Sequence, residues 1–219
     1  MFAVEVILRV KEGSLGLILN RIQGPLSVII LKRLRRFIAS ASLLFLTVLR
    51  TKMTEKFVSI LMGSDSDLPV VEPAFKILEE FQISYEVKIT SAHRTPVVTT
   101  KYVQDAEERG CSVFLCAAGM AAHLAGAVAA ATLKPVIGIP INASLNGLDA
   151  LLSTVQMPAG IPVATVAIGK AGAKNAAYLA AQILAISDSD LLQRLVEERK
   201  KNADTVVSKD KALQEKLNR

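Results

Sequence analysis

Tryptophan is missing, aromatic side chains make up only 5% of the 219 residues, and there are just 2 cysteines and 2 histidines. A core without large rings has to be built from Ala, Val, Leu and Ile, which suits helices packed closely on a sheet and points to an α/β layer structure. Cys111 and Cys116 have the spacing of neither a Cys-x-x-Cys redox pair nor a zinc knuckle, so they read as reduced, structural thiols of a cytoplasmic protein. With only His93 and His123 beside them, the usual ligand set of a zinc site is hard to assemble, and no metal is expected.

Charge of one sign is also scarce where it would matter. The formal net charge is +6, but residues 1–52 carry nine basic and two acidic side chains, which leaves 17 basic against 18 acidic in 53–219. The part that looks globular is close to neutral, which argues against nucleic acid as its partner. Within 1–52, the basic run Lys32-Arg33-Leu34-Arg35-Arg36 precedes an apolar stretch over 37–49. That stretch lies too deep in the chain for a signal peptide and is too short to span a bilayer, so no membrane association is expected. The leader reads as a membrane or targeting leader, a basic nucleic-acid arm, or upstream sequence translated from an early start codon. The last is favoured, because Met53-Thr54-Glu55-Lys56 looks like an ordinary amino terminus ahead of a strand. The expected organisation is an extension over 1–52 and a catalytic domain over 53–219.

From Phe57 onward short β-branched or apolar runs alternate with longer helical patterns. Strands are expected at 57–62, 84–90, 112–116, 135–141 and 163–168, with helices at 68–81, 96–109, 121–133, 147–156 and 171–186. Five alternations of this kind predict a parallel, doubly wound sheet covered on both faces, whose ligands gather at the carboxyl ends of the strands. A last helix, about 188–216, is strongly charged. Its Leu191, Leu192, Leu195 and Val196 form a narrow apolar stripe, suited to packing on a neighbouring subunit or to a solvated tail.

The chemistry-bearing residues fall at the strand ends. Gly63-Ser64-Asp65-Ser66-Asp67 opens a helix, so Ser64 and the backbone N–H groups can face an anion, although Ser and Asp there also serve as plain caps. Asp67 can accept hydrogen bonds from ribose hydroxyls. Ser91-Ala92-His93-Arg94-Thr95-Pro96 closes the second strand, where a guanidinium can hold phosphate and a histidine can give or take a proton. Ala117, Ala118 and Gly119 open the loop after the third strand, with side chains small enough for a ligand, or a second helix, to come close. His123, inside the next helical segment, reads as structural or supporting. The stretch 151–162, punctuated by Pro and Gly, reads as a fixed loop over the mouth of the sheet or as a simple connection.

Gly-Ser-x-Ser-Asp, Ser-Ala-His-Arg-Thr-Pro, Ala-Ala-His-Leu, Val-Gln-Met-Pro-x-Gly-Ile-Pro-Val and Ala-Ile-Gly-Lys-Ala-Gly-Ala occur here in that order. In this the chain resembles the N5-carboxyaminoimidazole ribonucleotide mutase family, also known as the catalytic subunit of phosphoribosylaminoimidazole carboxylase, over about residues 57–200. The resemblance implies a three-layer flavodoxin-like domain, a homo-octamer with terminal helices reaching onto neighbours, and a ribonucleotide substrate. It implies no cofactor. Carried over by position, Ser64 and Asp67 contact phosphate and ribose, Ser91 and Arg94 complete the phosphate end, His93 carries the proton, and Ala118 and Gly119 line the loop over the imidazole. The sequence departs from the family at Ala117 and Met120, where glycine is usual, and at Ala125, where proline is usual. The alternatives are a carboxylase that takes free carbon dioxide, and a non-catalytic nucleotide- or DNA-binding module acting through its leader.

Overall fold

The computed structural model describes residues 56–218. The expectations for 1–52, and for a start at Met53, lie outside the described residues. A five-stranded, all-parallel sheet runs in the order β2-β1-β3-β4-β5, with β1 Phe57–Met62, β2 Ser84–Ile89, β3 Cys111–Gly119, β4 Val136–Ile141 and β5 Ala164–Thr165. The helices are α1 Leu68–Glu80, α2 Pro96–Glu108, α3 Leu124–Ala129, α4 Leu148–Val155, α5 Lys170–Ala185 and α6 Ser189–Leu217. This is the doubly wound arrangement expected from the alternating pattern, in the flavodoxin-like form that the family resemblance implies.

The alternation of side chains along the strands explains the layers. Val58, Ile60 and Met62 of β1, Val113, Leu115 and Ala117 of β3, and Ile137, Ile139 and Ile141 of β4 pack with α1 and with the alanines of α5. Phe57 and Leu61 of β1, with Cys111, Phe114 and Cys116 of β3, pack with α2 and α3 on the other face. β1 and β4 are therefore buried along their whole length, as parallel strands covered on both faces must be. Burial pushes the Cys111 thiol up to about 11 and the Cys116 thiol higher still, which makes both unreactive and fits their reading as structural thiols.

Three boundaries differ from expectation, each for a packing reason. β3 runs on to Gly119, because Ala118 and Gly119 remain paired with Pro140 and Ile141 of β4. The two residues expected in a loop are thus the last of a strand. β5 shrinks to two residues, since it pairs only with Ile137 and Gly138 at the sheet edge. α3 begins only at Leu124, after a loop that turns at Met120 with φ of 55°.

α6 starts with Asp188, whose carboxylate accepts from the N–H groups of Asp190 and Leu191 at 3.1 and 2.9 Å and caps the helix. Leu191 is buried, but from Arg199 to Asn218 every residue is exposed. The stripe seen in the sequence docks only the first turns on this domain. Among the described residues no helix is long and apolar enough to cross a membrane.

Candidate active site

The carboxyl end of β1 is tied to both of its neighbours. Gly63 N–H donates to the Ala117 carbonyl at 3.2 Å, and Thr90 N–H donates to the Met62 carbonyl at 3.0 Å. The ends of β1, β2 and β3 therefore form one continuous lip, and the residues singled out in the sequence lie along it.

After β1, Ser64 caps a short 3-10 turn, Asp65–Asp67, that leads into α1. Its hydroxyl accepts from Ser66 N–H at 3.2 Å, while Asp67 Oδ2 accepts from Ser64 N–H at 3.2 Å, so the two residues cap each other reciprocally. Asp67 is buried, and desolvation holds its carboxyl above the usual carboxylate range, opposed by the backbone N–H groups of Ser64 and Gly63. The capping reading and the ligand reading thus apply to the same atoms: a preformed turn presents a hydroxyl and a carboxylate at the edge of the sheet.

After β2, the Ser91–Thr95 turn lifts Ala92, His93 and Arg94 over the lip. Ser91 Oγ accepts from Arg94 N–H at 3.1 Å. The Arg94 guanidinium reaches back across the sheet, its Nη2 donating to the Gly63 carbonyl at 3.3 Å. That single contact places the cation beside the Ser64/Asp67 turn. His93 points the other way, toward the end of β3, where its Nε2 lies 2.8 Å from His123 Nδ1 with the rings nearly perpendicular at 80°. Both histidines and Arg94 are exposed and free to meet a ligand.

His123 is the N-cap residue of α3, just ahead of the helix expected to contain it. The sequence reading of it as structural or supporting is compatible with this place, but its partner was hidden: it supports His93. A hydrogen bond between two imidazoles lets one proton occupy either side. With the proton on His93 Nε2, that ring's Nδ1 carries a free lone pair and acts as a base. With the proton on His123 Nδ1, His93 Nε2 accepts, and its Nδ1 carries hydrogen as an acid. The pair therefore provides a group that can alternate between the two roles.

Ala118 and Gly119 sit between these arms, both half-buried at the end of β3. A Cβ on Gly119 would come within 3.1 Å of the Ala143 side chain, so the β4 side of the lip already closes on it. The 151–162 stretch is pinned to α3: the Met157 sulfur lies 3.2 Å from where a Gly126 Cβ would stand. Of the three departures from the family, Ala117 and Ala125 are buried in the core. Met120 alone is at the surface, 61% exposed, in left-handed backbone. That conformation costs an ordinary residue about 1–2 kcal/mol, against a glycine entropy cost of about 0.5–1 kcal/mol. Met120→Gly should therefore stabilise the fold by roughly 0.5–1 kcal/mol, read as a higher urea midpoint at unchanged slope.

A parallel sheet with covered faces, whose carboxyl edge gathers a guanidinium, a reciprocally capped turn and a hydrogen-bonded histidine pair, defines a flavodoxin-like α/β enzyme domain. The AIR carboxylase family profile matches residues 57–205, and the chain belongs to that family. Among its relatives, the N5-carboxyaminoimidazole ribonucleotide mutase of Pyrococcus horikoshii is 52% identical over 169 residues, 77% of this chain and 94% of the relative. The protein of the same name from Bacillus subtilis is 51% identical over 154 residues, 70% of this chain and 95% of the relative. The crystal structure of Treponema denticola PurE superposes with a TM-score of 0.66 at 31% identity, covering 72% of this chain and 98% of that one.

Proposed function

We propose that this chain is an N5-carboxyaminoimidazole ribonucleotide mutase, an isomerase of purine biosynthesis that moves a carboxylate from the exocyclic nitrogen of its nucleotide to the neighbouring ring carbon, giving 4-carboxyaminoimidazole ribonucleotide. The observation that carries this reading is the convergence of Arg94 on the Gly63 turn and of His93 on His123 at one lip of the sheet. Two relatives covering most of this chain bear the mutase name.

Ser64, Ser91 and Arg94 hold the phosphate, Asp67 accepts from the ribose hydroxyls, and Ala118 and Gly119 let the flat imidazole lie close to backbone. His93 gives its proton to the exocyclic nitrogen as the N–C bond to the carboxylate breaks and carbon dioxide is released. The carbon dioxide adds to the electron-rich ring carbon, and His93 then takes that carbon's proton, which restores aromaticity and resets the histidine. A pocket that excludes water keeps the gas from escaping between the two steps. The aminoimidazole supplies its own electron push, so the scheme needs no cofactor.

The domain over 53–219 contains every residue in this scheme. The same reading takes α6 as an arm that packs on neighbouring copies in a cytoplasmic homo-octamer, for which the exposed Val206, Val207, Leu213 and Leu217 provide the apolar contacts. Residues 1–52 have no part in turnover, and neither nucleic acid nor membrane is a partner. The deciding experiment incubates the full chain, and a chain starting at Met53, with N5-carboxyaminoimidazole ribonucleotide, and separately with aminoimidazole ribonucleotide plus bicarbonate. Both chains should turn over the first substrate at equal rates and the second far more slowly. A preference for the second would make the protein a carboxylase, and loss of all activity on truncation would assign the work to the leader.

A further inference from the structure

The turn that carries His93 and Arg94 is held from beneath by hydroxyls that no step of the chemistry uses. Thr90, the residue after β2, and Thr99, in the first turns of α2, are both buried, at 4% and 2% exposure, and their hydroxyl oxygens lie 2.7 Å apart. Thr99 Oγ1 donates to the Thr95 carbonyl at 3.0 Å, so the Thr90 hydroxyl is the donor in the pair. Thr95 Oγ1 donates to the Ser91 carbonyl at 3.1 Å and accepts from Ser91 N–H at 3.0 Å. Thr90 Oγ1 also stands 3.4 Å from Thr95 Oγ1. The Thr90 hydroxyl thus donates to Thr99, which in turn donates to the backbone of Thr95, while the Thr95 hydroxyl is tied separately to the backbone of Ser91. Ser91 and Thr95 bracket the three-residue segment with His93 at its centre. The same Thr90 ties its own N–H to the Met62 carbonyl, which references the pair to the end of β1.

We propose that Thr90 and Thr99 are positioning residues: their buried hydroxyl pair fixes the Ser91–Thr95 turn so that Arg94 meets the Gly63 turn and His93 meets His123. The proposal rests on the mutase reading and extends it to two residues that touch no substrate. A buried hydroxyl with a partner on each side tolerates little movement, because losing either partner leaves a polar atom unsatisfied. A small displacement of the turn shifts the imidazole and the guanidinium together, and misplacement of about 1 Å at a reacting group can cost up to about 100-fold in rate.

The test compares the full-length wild type with Thr99→Val, Thr99→Ser and the double variant Thr90→Val/Thr99→Val, by steady-state kinetics on N5-carboxyaminoimidazole ribonucleotide alongside circular dichroism. Thr99→Val should lower kcat by about tenfold or more and raise KM as well, because both arms of the turn move. Thr99→Ser, which keeps the hydroxyl, should restore most of both parameters. The double variant replaces the hydrogen-bonded pair by apolar groups of the same shape, so it should fold and still be as impaired as the single variant. Folded Val variants with wild-type kcat and KM would overturn the proposal. So would failure of both to fold, since the pair would then serve the core and not the turn. A wild type inert toward this nucleotide would overturn the mutase reading itself, and the proposal with it.

Discussion

Replacing His93 by asparagine should cut turnover by at least about 100-fold while leaving the fold and nucleotide affinity nearly unchanged. A positioned general acid or base typically contributes about 100- to 10,000-fold, and the proposed reaction asks the same imidazole to serve in both directions. A 100-fold loss corresponds to about 2.7 kcal/mol of barrier. The stability effect should be small, because His93 is exposed and its side-chain partner is another exposed side chain, His123. Asparagine can still offer an N–H toward His123 Nδ1, but an amide is too weak an acid and too weak a base to deliver or take up the reacting proton. His123 then has no second ring with which to share a proton. The check is a pair of measurements on one preparation: steady-state turnover of N5-carboxyaminoimidazole ribonucleotide and calorimetric binding of the product. Near-normal turnover would remove His93 from the chemistry, and lost binding would make it part of the nucleotide clamp.

The layers of this fold are readable in the residues because its parallel strands are buried on both faces. Continuous apolar runs such as Phe57–Met62 and Val136–Ile141 have few other places to go. The two strand-end motifs around Ser64 and His93 are readable for a related reason, since caps and prolines mark where strands give way to helices. What sequence spacing does not carry is which strand ends meet. β2 and β3 flank β1, two strand spacings or roughly 10 Å apart, and only that order lets side chains 30 positions apart in sequence, His93 and His123, touch. The strand end at Gly119 was obscured for the same reason. Small residues read as loop until a partner strand, here β4 through Ile141, is known to continue beside them. The threonine pair under the active turn was hidden differently: Thr90 and Thr99 look like ordinary strand and helix positions, and only their burial together gives them a role.

Gly172→Ala should be among the most damaging single substitutions in the domain, although the residue touches none of the proposed chemistry. A Cβ built on Gly172 would lie 1.6 Å from the Ala167 carbonyl oxygen and 2.7 Å from its carbon, and both of these are backbone atoms. No side chain can rotate away to relieve that overlap. The Ala167 segment is held in turn by hydrogen bonds on either side, Val166 N–H to the Gly138 carbonyl at 3.1 Å and Gly169 N–H to the Pro140 carbonyl at 2.9 Å. The remaining way to make room is to move α5 off the sheet. Its inner face is Ala173, Ala176, Ala177, Ala180 and Ala181, all fully buried, and residues this small hold a close contact only while the helix stays close. Overpacking usually costs about 1–3 kcal/mol, and a clash between two backbone segments belongs at or beyond the top of that range. A loss of about 3 kcal/mol lowers the melting temperature of a domain this size by roughly 6–12 °C. Gly160→Ala provides the contrast. Gly160 has φ of 94° but nothing within 4 Å of its missing Cβ, so that change carries only backbone strain, about 1–2 kcal/mol. Melting curves of the two variants beside the wild type should therefore fall in the order wild type, Gly160→Ala, Gly172→Ala. A Gly172→Ala protein that melts with the wild type would show that α5 does not sit where its alanines place it.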